Sequence, residues 1–154
     1  VWANVATGSG GWSRLVDFGN DRENNNFILG VSGYDPSSFF MEIWGNGTSL
    51  TGPQTLTAIP FDQWNLYTLT GDGTSYYWYV NDQSPTTIGA SALPTSGTRN
   101  ASNCRIGGSN WAVVDAGDDP TLKGSIASVE IYNRALSQSE ITGLFNERKG
   151  RFGL

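Results

Sequence analysis

The chain has 154 residues, which suits a single domain large enough to bury a hydrophobic core. Twenty Gly, six Pro and only 15% charged residues are typical of a turn-rich globular protein. Nine Lys and Arg against fourteen Asp and Glu give a net charge of −5. This balance argues against binding nucleic-acid phosphates or docking on an anionic membrane, and no apolar run approaches the roughly 20 residues that span a bilayer. We therefore expect no nucleic-acid partner and no membrane insertion.

Two absences exclude whole classes of chemistry. The sequence contains no His, which excludes Ser-His-Asp and Cys-His catalysis and any His-ligated zinc site. Cys104 is the only Cys, so neither an internal disulfide nor a Cys-cluster metal site forms within the chain.

Short segments bounded by Gly, Asn, Asp or Pro predict a series of β-strands in chain order. They cover residues 1–6, 15–19, 27–32, 38–44, 54–59, 64–70, 76–81, 104–107 and 125–132. The glycines of residues 71–74 (GDGT) supply the positive φ of a tight hairpin turn. Residues 76–80 (YYWYV) place aromatics on both faces of their strand, so one face meets the core and the other meets a second layer or a ligand.

One segment, from about residue 137 to 148, is predicted to be helical. Ser137 and Glu140 form a capping box, and Ile141, Leu144 and Phe145 follow at a spacing that buries one face. Short strands without alternating helices predict an all-β, antiparallel two-sheet sandwich with one C-terminal helix. No linker or internal repeat divides the chain, so residues 1–154 are expected to form one domain.

Three stretches of the sequence carry a family resemblance. They are residues 11–20 (GWSRLVDFGN) with 25–30 (NNFILG), residues 64–73 (WNLYTLTGDG) with 79–81 (YVN), and residues 105–111 (RIGGSNW) with 124–137 (GSIASVEIYNRALS). They resemble the opening, the central hairpin and the last strands of concanavalin A-like lectin/glucanase domains of the laminin G-like type. The resemblance covers residues 2–145, and the final segment is its most specific part.

The resemblance implies a jelly roll, often an accessory module of secreted or surface proteins that binds glycans or other proteins and often holds calcium. We therefore expect an extracellular or particle- or cell-surface location. Family members usually have another strand or two before the one that residues 1–5 resemble, and the chain lacks an initiator Met. We expect a domain excised from, or part of, a larger protein. An open sheet edge would then be able to recruit other protein chains.

The same superfamily contains glycoside hydrolases, which need paired carboxylates. The family's catalytic strand supplies them as Glu-x-Asp-x-x-Glu, and none of the five Glu of this chain has that pattern. The nearest is Glu42, where Trp44 occupies the place of the second carboxylate. Similar lyases use a His, which is absent. We expect no catalytic residues and no enzyme activity, with a glycosidase or polysaccharide lyase as the weaker alternative.

Acidic loop residues provide candidate ligands for calcium, which takes carboxylate and carbonyl oxygens. The loop of residues 115–120 (DAGDDP) contains Asp118 and Asp119, and Asp17 is a further candidate. Composition alone favours a solvated turn, because Asp, Gly and Pro are common turn residues. With the family resemblance added, a calcium cofactor and a solvated turn are equally supported. Arg14 and Asp17 could alternatively form a structural ion pair.

Six Trp suggest a carbohydrate site, because sugar rings stack on aromatic faces and hydrogen-bond to nearby polar groups. Trp2, Trp12 and Trp64 match positions that resemble core packing in the family. The candidate binding residues are Tyr34, Trp44, Trp78, Trp111 and Asn110.

The sequence favours a non-catalytic, lectin-like module that binds a glycan or polysaccharide. The alternative from another class is a structural or adhesion domain of a virion or cell-surface protein that packs against protein. A glycan platform would expose one or two flat rings beside polar groups, whereas a protein-packing face would expose a contiguous apolar patch.

Overall fold

The computed structural model describes residues 1–45, 47–51, 54–72, 75–88, 99–111 and 119–154. Within them the chain forms ten strands and one α-helix. The strands are β1 Trp2–Val5, β2 Arg14–Phe18, β3 Phe27–Val31, β4 Ser38–Ile43, β5 Gln54–Ala58, β6 Trp64–Gly71, β7 Tyr76–Val80, β8 Thr86–Ile88, β9 Cys104–Ile106 and β10 Gly124–Ser128, and the helix is α1 Gln138–Arg148.

The strands form two five-stranded sheets in which every paired neighbour is antiparallel. The first sheet has the order β10-β1-β6-β7-β8, and the second has the order β5-β4-β3-β2-β9. The antiparallel sandwich predicted from the sequence is therefore confirmed. The short strand β8 was not predicted. Strands β6 and β7 form the predicted hairpin pair, which extends to Gly71 opposite Tyr76. Residues 73–74 of the predicted turn lie outside the described residues.

The main core lies between the two sheets. Alternation along β4 sends Phe39, Met41 and Ile43 into this core, where each is fully buried. Phe40 and Glu42 therefore point to the opposite face of the second sheet, yet both are also buried. Other segments of the chain must therefore cover this outer face. The candidate site described below lies between these segments and the sheet.

The helix covers the outer face of the first sheet. Its predicted capping box is present, because Ser137 and Glu140 each bond the other's backbone N–H. Ile141 is fully buried against Tyr79, so the second aromatic face of β7 meets another layer of protein. Trp2 stacks on Phe145 with ring centroids 5.9 Å apart. None of the described helices is long and apolar enough to cross a membrane.

The last strand is shorter than the sequence pattern predicts. The pairing of β10 with β1 ends at Ser128 opposite Trp2, so the prediction of a strand through residue 132 is wrong. Beyond that point the chain leaves the sheet, and Ile131 is 75% exposed. A cavity of about 800 Å³, lined by apolar residues of both sheets, opens beside this segment, and Val1 lies in its wall.

Candidate functional site

A second cavity, of about 380 Å³, opens on the outer face of the second sheet. This volume is within the range of small-ligand sites. Eight described residues line it: Trp12, Arg14, Tyr34, Glu42, Trp44, Ser49, Trp111 and Asp119. Four of the eight are aromatic and three are charged, which is the composition of a site that combines stacking with polar contacts.

The aromatic wall of the cavity comes from four separate segments of the chain. Trp12 meets Tyr34 edge to face with ring centroids 5.1 Å apart, and Trp44 meets Trp111 at 5.9 Å in a tilted arrangement. Tyr34 is 77% exposed at the rim, whereas the three Trp are half-buried. The Nε1–H group of Trp44 is buried and has no hydrogen-bond acceptor among the described residues.

Trp12 reaches this wall through an unusual backbone conformation. Its φ is +66°, which a large side chain rarely adopts. Its ring lies against Gly33, where a Cβ atom would come within 1.9 Å of the ring. Backbone strain of this kind costs free energy and often occurs at functional sites.

Arg14 of β2 forms the charged part of the cavity's base. Its Nη2 lies 2.7 Å from Asp119 Oδ2, and its Nη1 donates to the carbonyl oxygen of Trp12. The guanidinium carbon lies 5.0 Å from the ring centre of Phe40 and 5.7 Å from that of Trp111, so the cation is packed between aromatic faces. Burial lowers the pKa of Arg14, and Asp119 opposes that effect.

Asp17 of β2 anchors the segment that carries Trp111. The fully buried carboxylate accepts bonds from the backbone N–H of Asn110 at 2.9 Å and from the Asn110 side chain at 3.0 Å. Its third donor is the Asn26 side chain at 2.7 Å. Burial raises the pKa of Asp17, and these hydrogen bonds oppose the rise. Ser109 continues the anchor, because its hydroxyl donates to Asp119 at 2.7 Å and accepts from the N–H of Trp111.

The structure brings together three of the five predicted carbohydrate-binding residues: Tyr34, Trp44 and Trp111. The other two predictions are wrong. Trp78 is only 1% exposed and packs between the sheets against Phe39, so no ligand reaches its ring. Asn110 is 2% exposed, and its side chain bonds Asp17, Asn103 and Arg105 instead of facing the cavity.

Sequence reasoning missed four lining residues of this site: Trp12, Arg14, Glu42 and Ser49. Trp12 resembled a core position but lines the cavity, and its left-handed backbone has no sequence signature. Glu42 was considered only as part of a catalytic motif, although its alternation with Met41 on β4 indicated the outer face. For Arg14 the sequence left open an ion pair with Asp17 or with another residue, and the structure pairs it with Asp119.

The described candidate ligands do not fit a calcium ion. The carboxylate of Asp17 faces three N–H donors, and that of Asp119 faces a guanidinium and a hydroxyl donor. No group of three or more acidic or Cys side chains suited to a metal occurs in the described part of the chain. Asp118 lies outside the described residues. The calcium cofactor therefore stays a prediction.

Two layers of antiparallel strands with an aromatic-lined cavity on one sheet define the class of a β-sandwich with a ligand-sized pocket. The comparison with known families agrees with that architecture: a laminin G-like model of the concanavalin A-like lectin/glucanases superfamily matches residues 1–142. The chain belongs to this family. No curated protein and no solved structure matches it.

Proposed function

We propose that the protein is a non-catalytic carbohydrate-binding module and that the cavity on the second sheet is its binding site. The observation that supports this most directly is the meeting of Trp12, Tyr34, Trp44 and Trp111 around one cavity with polar groups at its base. Sugar rings present apolar C–H faces that stack on such rings, while their hydroxyls bond nearby polar atoms. A superfamily that includes lectins is consistent with this function.

The absence of catalysis is the second part of the proposal. Two carboxylates line the cavity, and both are engaged by other groups. Asp119 is bound by Arg14 and Ser109, and Glu42 Oε1 accepts a bond from Ser49 Oγ at 2.7 Å. A glycosidase needs one carboxyl as proton donor and a second as nucleophile or base. An Asp neutralised by a buried guanidinium is poorly suited to either role.

An extracellular or surface location is proposed with this function, since glycans are concentrated there. Calcium is proposed as a support of the fold or of binding, with Asp118 as the remaining candidate ligand. The described site is built without it, because Arg14 already neutralises Asp119.

A glycan-array screen of the purified chain tests the proposal, run once with calcium and once with a chelator. Two exposed tyrosines provide a matched pair of variants for the same screen. Tyr34→Ala removes a ring at the cavity rim, and Tyr132→Ala removes a ring that is 43% exposed beside the larger cavity. Both changes leave the core intact, so both variants should fold.

We expect specific glycan binding that Tyr34→Ala weakens and Tyr132→Ala leaves unchanged. Binding lost in the chelator would support the calcium prediction, and binding that persists would contradict a calcium-dependent site. No glycan binding in either condition would overturn the proposed function. Turnover of a bound glycan, detected as released sugar, would overturn its non-catalytic part.

The adhesion alternative has one specific observation in its favour. Ile131 is 75% exposed next to Tyr132, and both follow an edge strand, β10, that pairs only with β1 among the described residues. Exposed apolar groups beside a sheet edge suit packing against another protein chain. Self-association of the chain that Ile131→Ser abolishes, together with a blank glycan array, would favour this alternative.

A further inference from the structure

The charge balance of the cavity bears on the kind of glycan it accepts. Arg14, Glu42 and Asp119 are its charged lining residues in the described part of the chain. Arg14 and Asp119 compensate each other at 2.7 Å. Glu42, which is 7% exposed, forms no salt bridge with a described cation, although it interacts electrostatically with Arg14 at longer range. The three charged lining residues therefore carry one negative charge in excess.

The hydrogen-bonding groups of the cavity are complementary to a hydroxyl. Glu42 offers an acceptor, since only its Oε1 is bound by Ser49. Trp44 also lines the cavity, but its Nε1 is itself buried, so a ligand oxygen in the cavity does not reach that donor. A sugar hydroxyl donates a hydrogen bond, so it matches the remaining acceptor of Glu42.

We propose that this site selects neutral over acidic glycans, with Glu42 accepting from a ligand hydroxyl. This inference rests on the proposed carbohydrate-binding function. Uronate or sulfated sugars are disfavoured because their anion would approach Glu42 where the one cation of the described lining, Arg14, is already paired with Asp119. Repulsion of the wrong ligand is a common source of specificity.

Cationic ligands suit aromatic cages in general, but the cage here already contains a cation. The Arg14 guanidinium lies within 6 Å of the ring centres of Trp12 and Trp111 at 5.7 Å each. Asp119 neutralises this guanidinium, whereas Glu42 gives the described lining an excess negative charge, so the charge balance of the cavity acts against acidic sugars and not against amino sugars.

Calorimetric titration with two matched oligosaccharide sets tests this selectivity: a neutral set and a uronate- or sulfate-bearing set. We expect the neutral set to bind at least about tenfold more tightly than the acidic set at physiological salt. Equal or tighter binding of the acidic set, still weakened by Tyr34→Ala, would overturn the selectivity while the carbohydrate-binding function stands. Failure of both sets to bind would overturn the function itself.

Two variants test the proposed role of Glu42. Glu42→Gln removes the charge at nearly constant size, and we expect it to narrow the difference in affinity between neutral and uronate ligands. Glu147→Gln is the control, because Glu147 is exposed on α1 and does not line the cavity.

Thermal melting of each variant verifies that it is folded. A difference in affinity between neutral and uronate ligands that is unchanged in Glu42→Gln would overturn the role of Glu42.

Discussion

Arg14 Nη2 and Asp119 Oδ2 lie 2.7 Å apart, although 105 positions separate the two residues in the chain. The pair joins strand β2 to a residue just before β10, across the base of the aromatic cavity. Both side chains are largely buried, with 4% and 11% of their surface exposed. The ion pair therefore links two distant parts of the chain and also forms part of the cavity lining.

Removing one member of this pair should lower the free energy of unfolding by more than removing both members together. Asp119→Ala leaves the Arg14 guanidinium buried without its carboxylate, and we expect the free energy of unfolding to fall by about 3 kcal/mol. Adding Arg14→Met to that variant should recover part of the loss. Urea denaturation of both single variants and the double variant measures the coupling. Additive losses would contradict a direct interaction, and Arg134→Ala, which breaks an exposed pair with Glu140, should have a smaller effect.

Asp17→Asn should destabilise the protein despite its similar shape. Three N–H donors converge on the Asp17 carboxylate, so the amide NH2 of an Asn would face at least one of them. We expect a loss of about 2 to 3 kcal/mol in the free energy of unfolding, measured by urea denaturation. The exposed Asp82→Asn is the control. Equal stability of the two variants would show that Asp17 does not anchor the segment carrying Trp111.

The amino group of Val1 should make stability depend on pH in a chain that begins at this residue. Val1 N donates to the carbonyl oxygen of Tyr67 at 2.8 Å, and burial lowers its pKa from 8.0 to about 6. Between these values the unfolded chain binds more protons, so stability falls as the pH falls from 8 to 6. The loss is about 2 to 3 kcal/mol.

Urea denaturation at pH 5.5 and pH 8.0 measures this effect. The absence of His leaves few other groups that titrate in the same window. Selective acetylation of Val1 removes the charge and keeps one N–H donor, so it should abolish the difference. A pH dependence that persists after acetylation would assign the effect to another group.

Ser137→Ala should weaken the helix that covers Trp2. The Ser137 hydroxyl accepts from the backbone N–H of Glu140, and Glu140 bonds back to the N–H of Ser137. Loss of such a cap costs about 1 kcal/mol. Ser84→Ala, at an exposed loop serine, provides the control. If the two variants melted at the same temperature, the capping box would contribute nothing measurable.

The elements of the fold were predictable because their signals are local. The capping box at Ser137 and the short strands between turn residues depend on neighbours in sequence, and both were found in place. The end of β10 was not predictable, because a strand stops where its partner stops. Here that partner is β1, which pairs with β10 no further than Ser128.

The site was only half predictable, because burial of an aromatic ring depends on distant covering segments. Tyr77 and Trp78 lie on opposite faces of β7, and alternation alone does not say which face meets the main core. The helix packs on the face of Tyr77, and Trp78 faces the second sheet. The pairing of Arg14 with Asp119 depends on the same kind of long-range contact, so the sequence left the partner of Arg14 open between Asp17 and another residue.

The distribution of tryptophans gives the site its own spectroscopic signal. Trp12, Trp44 and Trp111 surround the cavity, whereas Trp2, Trp64 and Trp78 belong to the first sheet. A ligand that enters the cavity displaces solvent from three indoles at once and leaves the other three in their original surroundings. Three of the six indoles therefore respond to occupancy, and the intrinsic Trp fluorescence of the unlabelled protein can be used for titration.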